Sequence, residues 1–585
     1  MKSFSGTAYR VRRTAERSKN TSVKNAVRLT PYALLALLLI SFVSPLFAAT
    51  GDKAMVITPD FRATQAALEI LKQGGNAVDA AVAAGWVMSV VSPQSSGIGG
   101  GGLFLFYDIG TRRILFFDGS VKTPAKAKPG MFRDAKGNLL PYQPERNTGG
   151  LPVGVPGFLK LTEEVHAKYG THKFPFEKLF DPAILLAENG TEVSAELSLA
   201  LRENAERLNL LDPSQAVFFK DGVPLPKGAT FQQTDLAKMF HLLQKKGPSA
   251  FYKGAIATEM IRAVHKDKFR PGFLGGRDLE GYTAAEREPV HSTYQGYDLF
   301  SAGPPADGGV MLFRALNILS HFGMPGLGKS PEAYHLLGET QKVALAYRDG
   351  VADPDMFEIP LTELLSEAWA QDRAGTIQFD KILPFVKASQ DSGPVKKRSG
   401  ISILVVDPRG NIAILTATLG DAFGSALRVP GYGFFMNNLL TDFDGGPSSG
   451  KDAASEGNIT GGQRPRGPEA PVFLFKEGKP AMLASAYGNE EPAVVLLNVI
   501  VPRIDLGASC VEALGAPRLL AGDKGLRMEK GLYDQEMIRM KLELLGYKIE
   551  KEDTIGVAQI VCFVPGSGKI EGESDPRAAG QAEGF

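Results

Sequence analysis

A hydroxyl at the head of a β-strand can attack a carbonyl carbon when a nearby base takes its proton. The segment around residue 400 offers that chemistry in an incomplete form. Ser399 precedes Gly400, and the apolar run Ile401-Ser402-Ile403-Leu404-Val405-Val406 follows, closed by Asp407 and the turn Pro408-Arg409-Gly410-Asn411. A second β-rich run, Ile412 to Thr418, comes next, and the pair predicts a hairpin. Side chains alternate between the two faces of a strand. Ser402 therefore shares a face with Gly400, two residues further in, and Ser399 points the other way. Glycine has no side chain with which to attack. Bringing the Ser399 hydroxyl to the Gly400 face would take a bulge or a different loop path.

Other chemistries find less support. The seven histidines (His166, His172, His241, His265, His291, His321 and His335) are scattered, without a His-Glu-x-x-His pair. The two cysteines, Cys510 and Cys562, lack zinc-ligand spacing. No metal or other cofactor is expected. An exported chain could bridge the cysteines; the reading favoured here is two small buried hydrophobes.

The elements that must position residue 400 are both helical and extended. Asp60 to Gln73 has helical periodicity, with Asp60 as N-cap and Gly74 as stop. Ala77 to Val90 reads as an alanine-rich helix for close packing. Leu103–Tyr107 and Ile114–Phe117 read as buried strands, and a long helical half runs from about Phe158 to Lys266, in which Thr234 can cap a helix ending at Gly247. Further helices are expected between Gly309 and Arg348. Pro471–Phe475 and Met482–Ser485 read as strands, Val494 to Val501 is ambiguous, and Met537–Leu545 is a helix stopped by Gly546. Ala558–Val564 is expected to be the last strand. The glycine run 97–102, the polar segment 387–399 and the Gly/Ser-rich segment 444–467 punctuate the chain, the last two as exposed loops. Helices and strands do not alternate as regular βαβ units, which favours a layered α+β fold.

Several motifs together resemble the gamma-glutamyltransferases, also called gamma-glutamyltranspeptidases or glutathione hydrolases. They include Gly74-Gly75-Asn76-Ala77-Val78-Asp79, Ser95-Ser96-Gly97-Ile98-Gly99-Gly100, Gly154-Val155-Pro156-Gly157, Ala250-Phe251-Tyr252-Lys253-Gly254, Gly308-Gly309-Val310 and Ser574-Asp575-Pro576-Arg577. Their order holds over more than five hundred residues. The resemblance implies the N-terminal-nucleophile hydrolase fold, a four-layer αββα sandwich. On this basis residues 50–399 are similar to the large subunit and 400–585 to the small subunit of one intertwined domain. It also implies self-cleavage before a threonine, whose hydroxyl then attacks gamma-glutamyl amides and whose freed amine acts as base.

The family's strand reads approximately Thr-Thr-His-Phe/Tyr-Ser-Val-Val-Asp-x-x-Gly-Asn. Aligned on Val405-Val406-Asp407-Pro408-Arg409-Gly410-Asn411, its threonine pair falls on Gly400-Ile401. By the same resemblance the carboxylate-binding arginine becomes Ser120, with Lys122 on the same strand face. The Thr-x-Asn segment becomes Thr418-Leu419-Gly420. Asp442 keeps the place of the aspartate that binds the donor amine, and also fits an ordinary loop cap. Two substrate-binding serines are replaced within Arg464-Pro465-Arg466-Gly467-Pro468-Glu469-Ala470-Pro471. The oxyanion glycine pair becomes Gly488-Asn489, and Asn489 retains a backbone N–H. The expectation is a family scaffold that is catalytically impaired and not self-cleaved. One alternative is an active N-terminal-nucleophile amidohydrolase or acyltransferase using Ser399; another is a non-catalytic exported interaction protein.

Charge and composition set the outer bounds. A formal net charge of +1 over 585 residues gives no basic surplus for nucleic acid; the resemblance implies a small gamma-glutamyl compound or related amide as the partner. Hydrophobic residues at 44% supply ample core. Residues 1–49 stand apart. Arg10, Arg12, Arg13, Arg17, Lys19, Lys24 and Arg28 precede an apolar run from Tyr32 to Phe47. That order resembles a secretory signal peptide or, uncleaved, a signal anchor spanning 32–47, the chain's one expected contact with a membrane. Export to the periplasm or the extracellular space follows as an expectation.

Overall fold

The computed structural model describes residues 48–211, 217–346, 350–384, 398–443, 457–488, 491–522 and 525–585. The basic leader with its apolar run, Asn489, and most of the two polar segments lie outside the described residues.

Two seven-stranded antiparallel sheets lie at the centre. The first runs, in spatial order, through β1 (Ala49–Gly51), β13 (Ile570–Ser574), β12 (Val557–Phe563), β11 (Lys479–Tyr487), β10 (Val472–Lys476), β7 (Tyr297–Ser301) and β6 (Val290–Tyr294). The second runs through β14 (Gln581–Gly584), β2 (Met55–Thr58), β8 (Arg398–Val406), β9 (Ile412–Asp421), β3 (Gly101–Asp108), β4 (Arg113–Gly119) and β5 (Ala285–Arg287). Each sheet takes strands from both sides of residue 400.

Alternation along these strands sorts the core into layers. In β8, Ile401, Ile403 and Val405 pack into a cluster with α1 (Phe61–Lys72) and α2 (Ala77–Val91). Leu404 and Val406 face the other way, meeting Phe473, Leu483 and Val561 of the first sheet. That sheet's outer face, including Leu474, Ala484 and Ile560, packs against α3 (Gly308–Leu319), α4 (Pro331–Ala346) and α5 (Pro492–Ile504). The result is helices, sheet, sheet and helices, the αββα sandwich implied by the resemblance.

Local signals explain the helices that frame the site. The Asp60 carboxylate accepts from the Arg62 amide at 3.0 Å, and Gly74 ends α1 with φ +90°. Every residue of α2 is buried, which is why it is built of alanine and valine around Trp86. Its start is fixed by a reciprocal cap between Asn76 and Asp79. The ambiguous run 494–501 lies inside α5; apolar on most sides, it is a helix buried against the sheet.

Four sequence expectations need correction. Thr234 is the first helical residue, not the cap; Gln233 holds that position and makes no side-chain cap bond. The strand at 557–563 is not the last, because two short glycine-containing strands follow it: β13 lies between β12 and the edge strand β1 in the first sheet, and β14 forms an edge of the second. Cys510 and Cys562 are joined as a disulfide, their Cα atoms 6.3 Å apart, tying the helix Cys510–Gly515 to β12. The loop expected up to Ser399 ends earlier, since Arg398 and Ser399 already pair with Asp421 and Gly420.

Candidate active site

The hairpin of β8 and β9 carries residue 400 to one end of the sandwich. Register passes from Ser399↔Gly420 to Ile401↔Ala417, so Thr418 and Leu419 together stand opposite Gly400. This is a bulge, and it lies on the strand facing Ser399. It does not bring the Ser399 hydroxyl round. Parity with Leu404 and Val406 places Gly400 on the face between the sheets, where the Ser402 and Ser485 hydroxyls meet at 2.8 Å. The Ser399 hydroxyl instead donates to Ser95 Oγ at 2.9 Å, in the segment that leads into the glycine run. That run continues as β3 beside the bulge, with Gly101 opposite Thr418.

Thr418 is held tightly. Its hydroxyl donates to the Ser399 carbonyl at 2.5 Å and accepts from the Gly420 amide at 2.9 Å. A Cβ added to Gly400 would lie 3.3 Å from the Ala417 carbonyl oxygen and 3.8 Å from Thr418 Oγ1. The position thus has room for a side chain beside a fixed hydroxyl, and carries none.

Gly420 is different. It has φ +99°, and an added Cβ would fall 2.0 Å from Asn438 Oδ1. Asn438 is committed elsewhere. Its Oδ1 accepts from the Asp421 amide at 3.0 Å, and its Nδ2 donates to Asp421 Oδ2 at 3.0 Å and to the Asn147 carbonyl at 3.2 Å. The packing of Asn438 therefore fills the space an asparagine at 420 would need.

Asp442 closes a short 3₁₀ turn, Leu439–Asp442, and forms an ion pair with the Arg398 guanidinium. Both side chains are largely buried. The aspartate that the resemblance assigns to a donor amine is thus engaged by a cation of the same chain, two residues before Gly400. Gly488, with φ +108°, lies across the pocket from the hairpin.

Gly488 and the hairpin head border a small cavity of about 30 Å³ between the ends of the two sheets. Arg398, Gly400, Thr416, Thr418, Glu469 and Tyr487 all contribute to its wall. A cavity of that size admits a water-sized group. Ser399 also borders it, with its hydroxyl turned to Ser95.

Ser120 and Lys122 are not part of that wall. The Ser120 carbonyl accepts from the Tyr282 hydroxyl at 2.6 Å, and the Lys122 ammonium lies 5.9 Å from the Tyr282 ring centre. Burial, followed by the charge of Arg464, holds Lys122 below the usual lysine range. Arg464 and Arg287 are themselves balanced by Asp118, Asp353 and Asp355, at 2.8 to 3.5 Å for Arg287. Sequence reasoning missed this network; the closely spaced Asp353 and Asp355 were its visible trace.

Glu469 was missed as well. The residue lines the cavity, and burial is the main cause that pushes its carboxyl above the usual range, opposed first by a hydrogen bond from its own amide and then by the charge of Arg398. The replacement of the two serines by Gly467 and Pro468 just before it was the available signal. A Cβ on Gly467 would sit 2.2 Å from Glu469 Oε2, so the glycine is what makes room for the carboxyl.

Comparison with known proteins converges on the same scaffold. The family model described as gamma-glutamyltranspeptidase matches residues 63–585. The glutathione hydrolase proenzyme of Bacillus subtilis (strain 168) is 34% identical over 554 residues, covering 92% of each chain. The acylase ACY 1 proenzyme of Pseudomonas sp. (strain SE83) is 31% identical, over 91% of this chain and 93% of its own. Among solved structures, the cephalosporin acylase from Bacillus halodurans superposes with a TM-score of 0.82 at 26% identity, covering 93% of this chain and 97% of its own. With the sheet order, the hairpin and these matches in agreement, the chain belongs to the gamma-glutamyltranspeptidase family.

Proposed function

We propose that this protein keeps the family scaffold as a small-molecule-binding protein and has lost gamma-glutamyl transfer. The observation that carries the proposal is Gly400: the hairpin head faces the cavity with a hydrogen atom where the resemblance places a threonine. Losing a covalent nucleophile costs about 10⁶-fold in turnover in a serine protease. The same hydroxyl would serve self-cleavage, so the chain stays whole. Two further features support the reading. Arg398 already occupies the Asp442 carboxylate, and the places of the carboxylate-binding arginine and the two serines hold Ser120, Gly467 and Pro468.

The relatives named as glutathione hydrolase and acylase set the substrate classes against which loss is judged. The ligand under this proposal is a small amide or a related polar molecule. Export is part of the proposal: the basic-then-apolar order of residues 1–49 and the Cys510–Cys562 disulfide both fit an oxidising compartment outside the cytoplasm.

Denaturing electrophoresis and hydrolysis of a chromogenic gamma-glutamyl anilide test the proposal together. One uncut chain without hydrolysis is expected. Two fragments, the smaller beginning at Ser399, together with anilide turnover, would instead establish the serine as an atypical nucleophile.

A further inference from the structure

A polar row crosses the core layer between the two sheets. Thr416 and Ser402 stand opposite each other on β9 and β8, and Ser485 and Gln559 do the same on β11 and β12, with Ser574 of β13 beside Gln559. Parity with Ile414, Leu404, Leu483, Val561 and Ile570 turns all five side chains into the space between the sheets. Leu404, Ile414, Leu483 and Val561 form the apolar row on the core side, and Gly400 lies on the other side.

This row is buried and short of partners. Ser402, Ser485 and Gln559 have no exposed surface, and Thr416 is 3% exposed. The bond between the Ser402 and Ser485 hydroxyls, at 2.8 Å, uses one of their two protons and leaves the other to be donated. Neither Nε2 nor Oε1 of Gln559 has a partner among the described residues, and the same is true of Thr416 Oγ1 and Ser574 Oγ. Native interiors satisfy such groups, with ordered water where no protein atom is in reach. Ser402 is also where this chain departs from the strand of the family it resembles, which has histidine at that place; serine is shorter and fills less of the layer.

We propose that the two sheets enclose a hydration site in this row, with ordered water on both sides of the Ser402–Ser485 bond. One position is held by the Gln559 amide together with the Ser574 hydroxyl, the other by Thr416. A primary amide brings two donors and an acceptor, so the guest is a neutral molecule of water's size that both donates and accepts. None of the five side chains is ionisable, so the row offers a charged guest no counter-ion. Thr416 also lines the cavity beside Gly400, which gives its water a way in. The site belongs to the interior of the fold and does not rest on the ligand-binding proposal.

A crystal structure of the intact chain, at a resolution that shows ordered water, should place water within hydrogen-bond distance of Gln559 and of Thr416. Gln559→Leu and Thr416→Val keep the shape of each side chain and remove its polar atoms. The first should clear the position at Gln559 and the second the position at Thr416, each leaving the other filled. In solution, water-oxygen magnetic relaxation dispersion counts long-lived internal waters, and Gln559→Leu should lower that count by at least one. A thermal melt checks that each variant is folded, and the density of the parent chain decides the matter alone if one is not. Water-free density at both Gln559 and Thr416 would overturn the inference. So would an unchanged count in folded Gln559→Leu; a dry amide would then show as a rise in melting temperature when it is removed.

Discussion

Replacing Gly400 with threonine separates a missing nucleophile from a ruined scaffold. The added Cβ meets Ala417 O at 3.3 Å and Thr418 Cβ at 3.7 Å, so the neighbours must yield by only a few tenths of an ångström. Gly400 is not among the residues with positive φ, and its backbone already lies within β8. Glycine inside a strand costs about 0.5–1 kcal/mol relative to alanine, and β-branched residues suit strands. The gain and the crowding nearly cancel, leaving Gly400→Thr within about 1 kcal/mol of the parent. A thermal melt should therefore move by no more than a few degrees. Thr418 Oγ1 stands 3.8 Å from the new Cβ, ready to engage the restored hydroxyl. The variant should split before residue 400, seen as two bands on a denaturing gel, while anilide turnover stays far below that of an intact family site because the carboxylate grips are still absent. A variant that fails to fold, or melts more than about 10 °C lower, would refute the reasoning, for it would make Gly400 a requirement of the fold.

Three other perturbations follow from the same geometry. Gly420→Asn, which also restores a family residue, should cost about 2–4 kcal/mol in denaturant unfolding, because its Cβ displaces Asn438 from buried hydrogen bonds to Asp421 and Asn147. Glu469→Gln should stabilise the protein at alkaline pH and lose that advantage as the pH falls below the ordinary glutamate range. The raised carboxyl makes the folded state bind the proton more tightly than the unfolded one, so parental stability falls as pH rises through its titration; melts across pH 4–9 check the sign. Replacing both Cys510 and Cys562 with alanine reopens a link across 52 residues and should lower stability by about 2–4 kcal/mol under non-reducing conditions.

The sandwich was legible because its strands obey simple alternation. Ile401, Ile403 and Val405 against Leu404 and Val406 announce a strand buried on both faces, and Asp60 and Gly74 bracket a helix in the usual way. The same parity correctly separated the Ser399 hydroxyl from the face of Gly400, which the bond to Ser95 reflects. What sequence could not give was contact between distant segments. The bulge at Thr418 and Leu419 arises on the strand opposite Gly400, so nothing around residue 400 signals it. The grip of Arg398 on Asp442 joins residues that read separately as a polar loop and a cap. Glu469 was passed over because its meaning depends on Gly467, two residues earlier, vacating the space it fills. Cys510 and Cys562 looked like small core residues because they are also that, at 1% and 2% exposure.

The central claim is that no acyl group can be caught at the head of β8. Intact-mass measurement and N-terminal sequencing of the purified protein, after incubation with the gamma-glutamyl anilide, test it most directly. The expected result is a single unmodified chain with no terminus in the 398–401 region. A new terminus at Ser399 carrying a gamma-glutamyl mass would contradict the account.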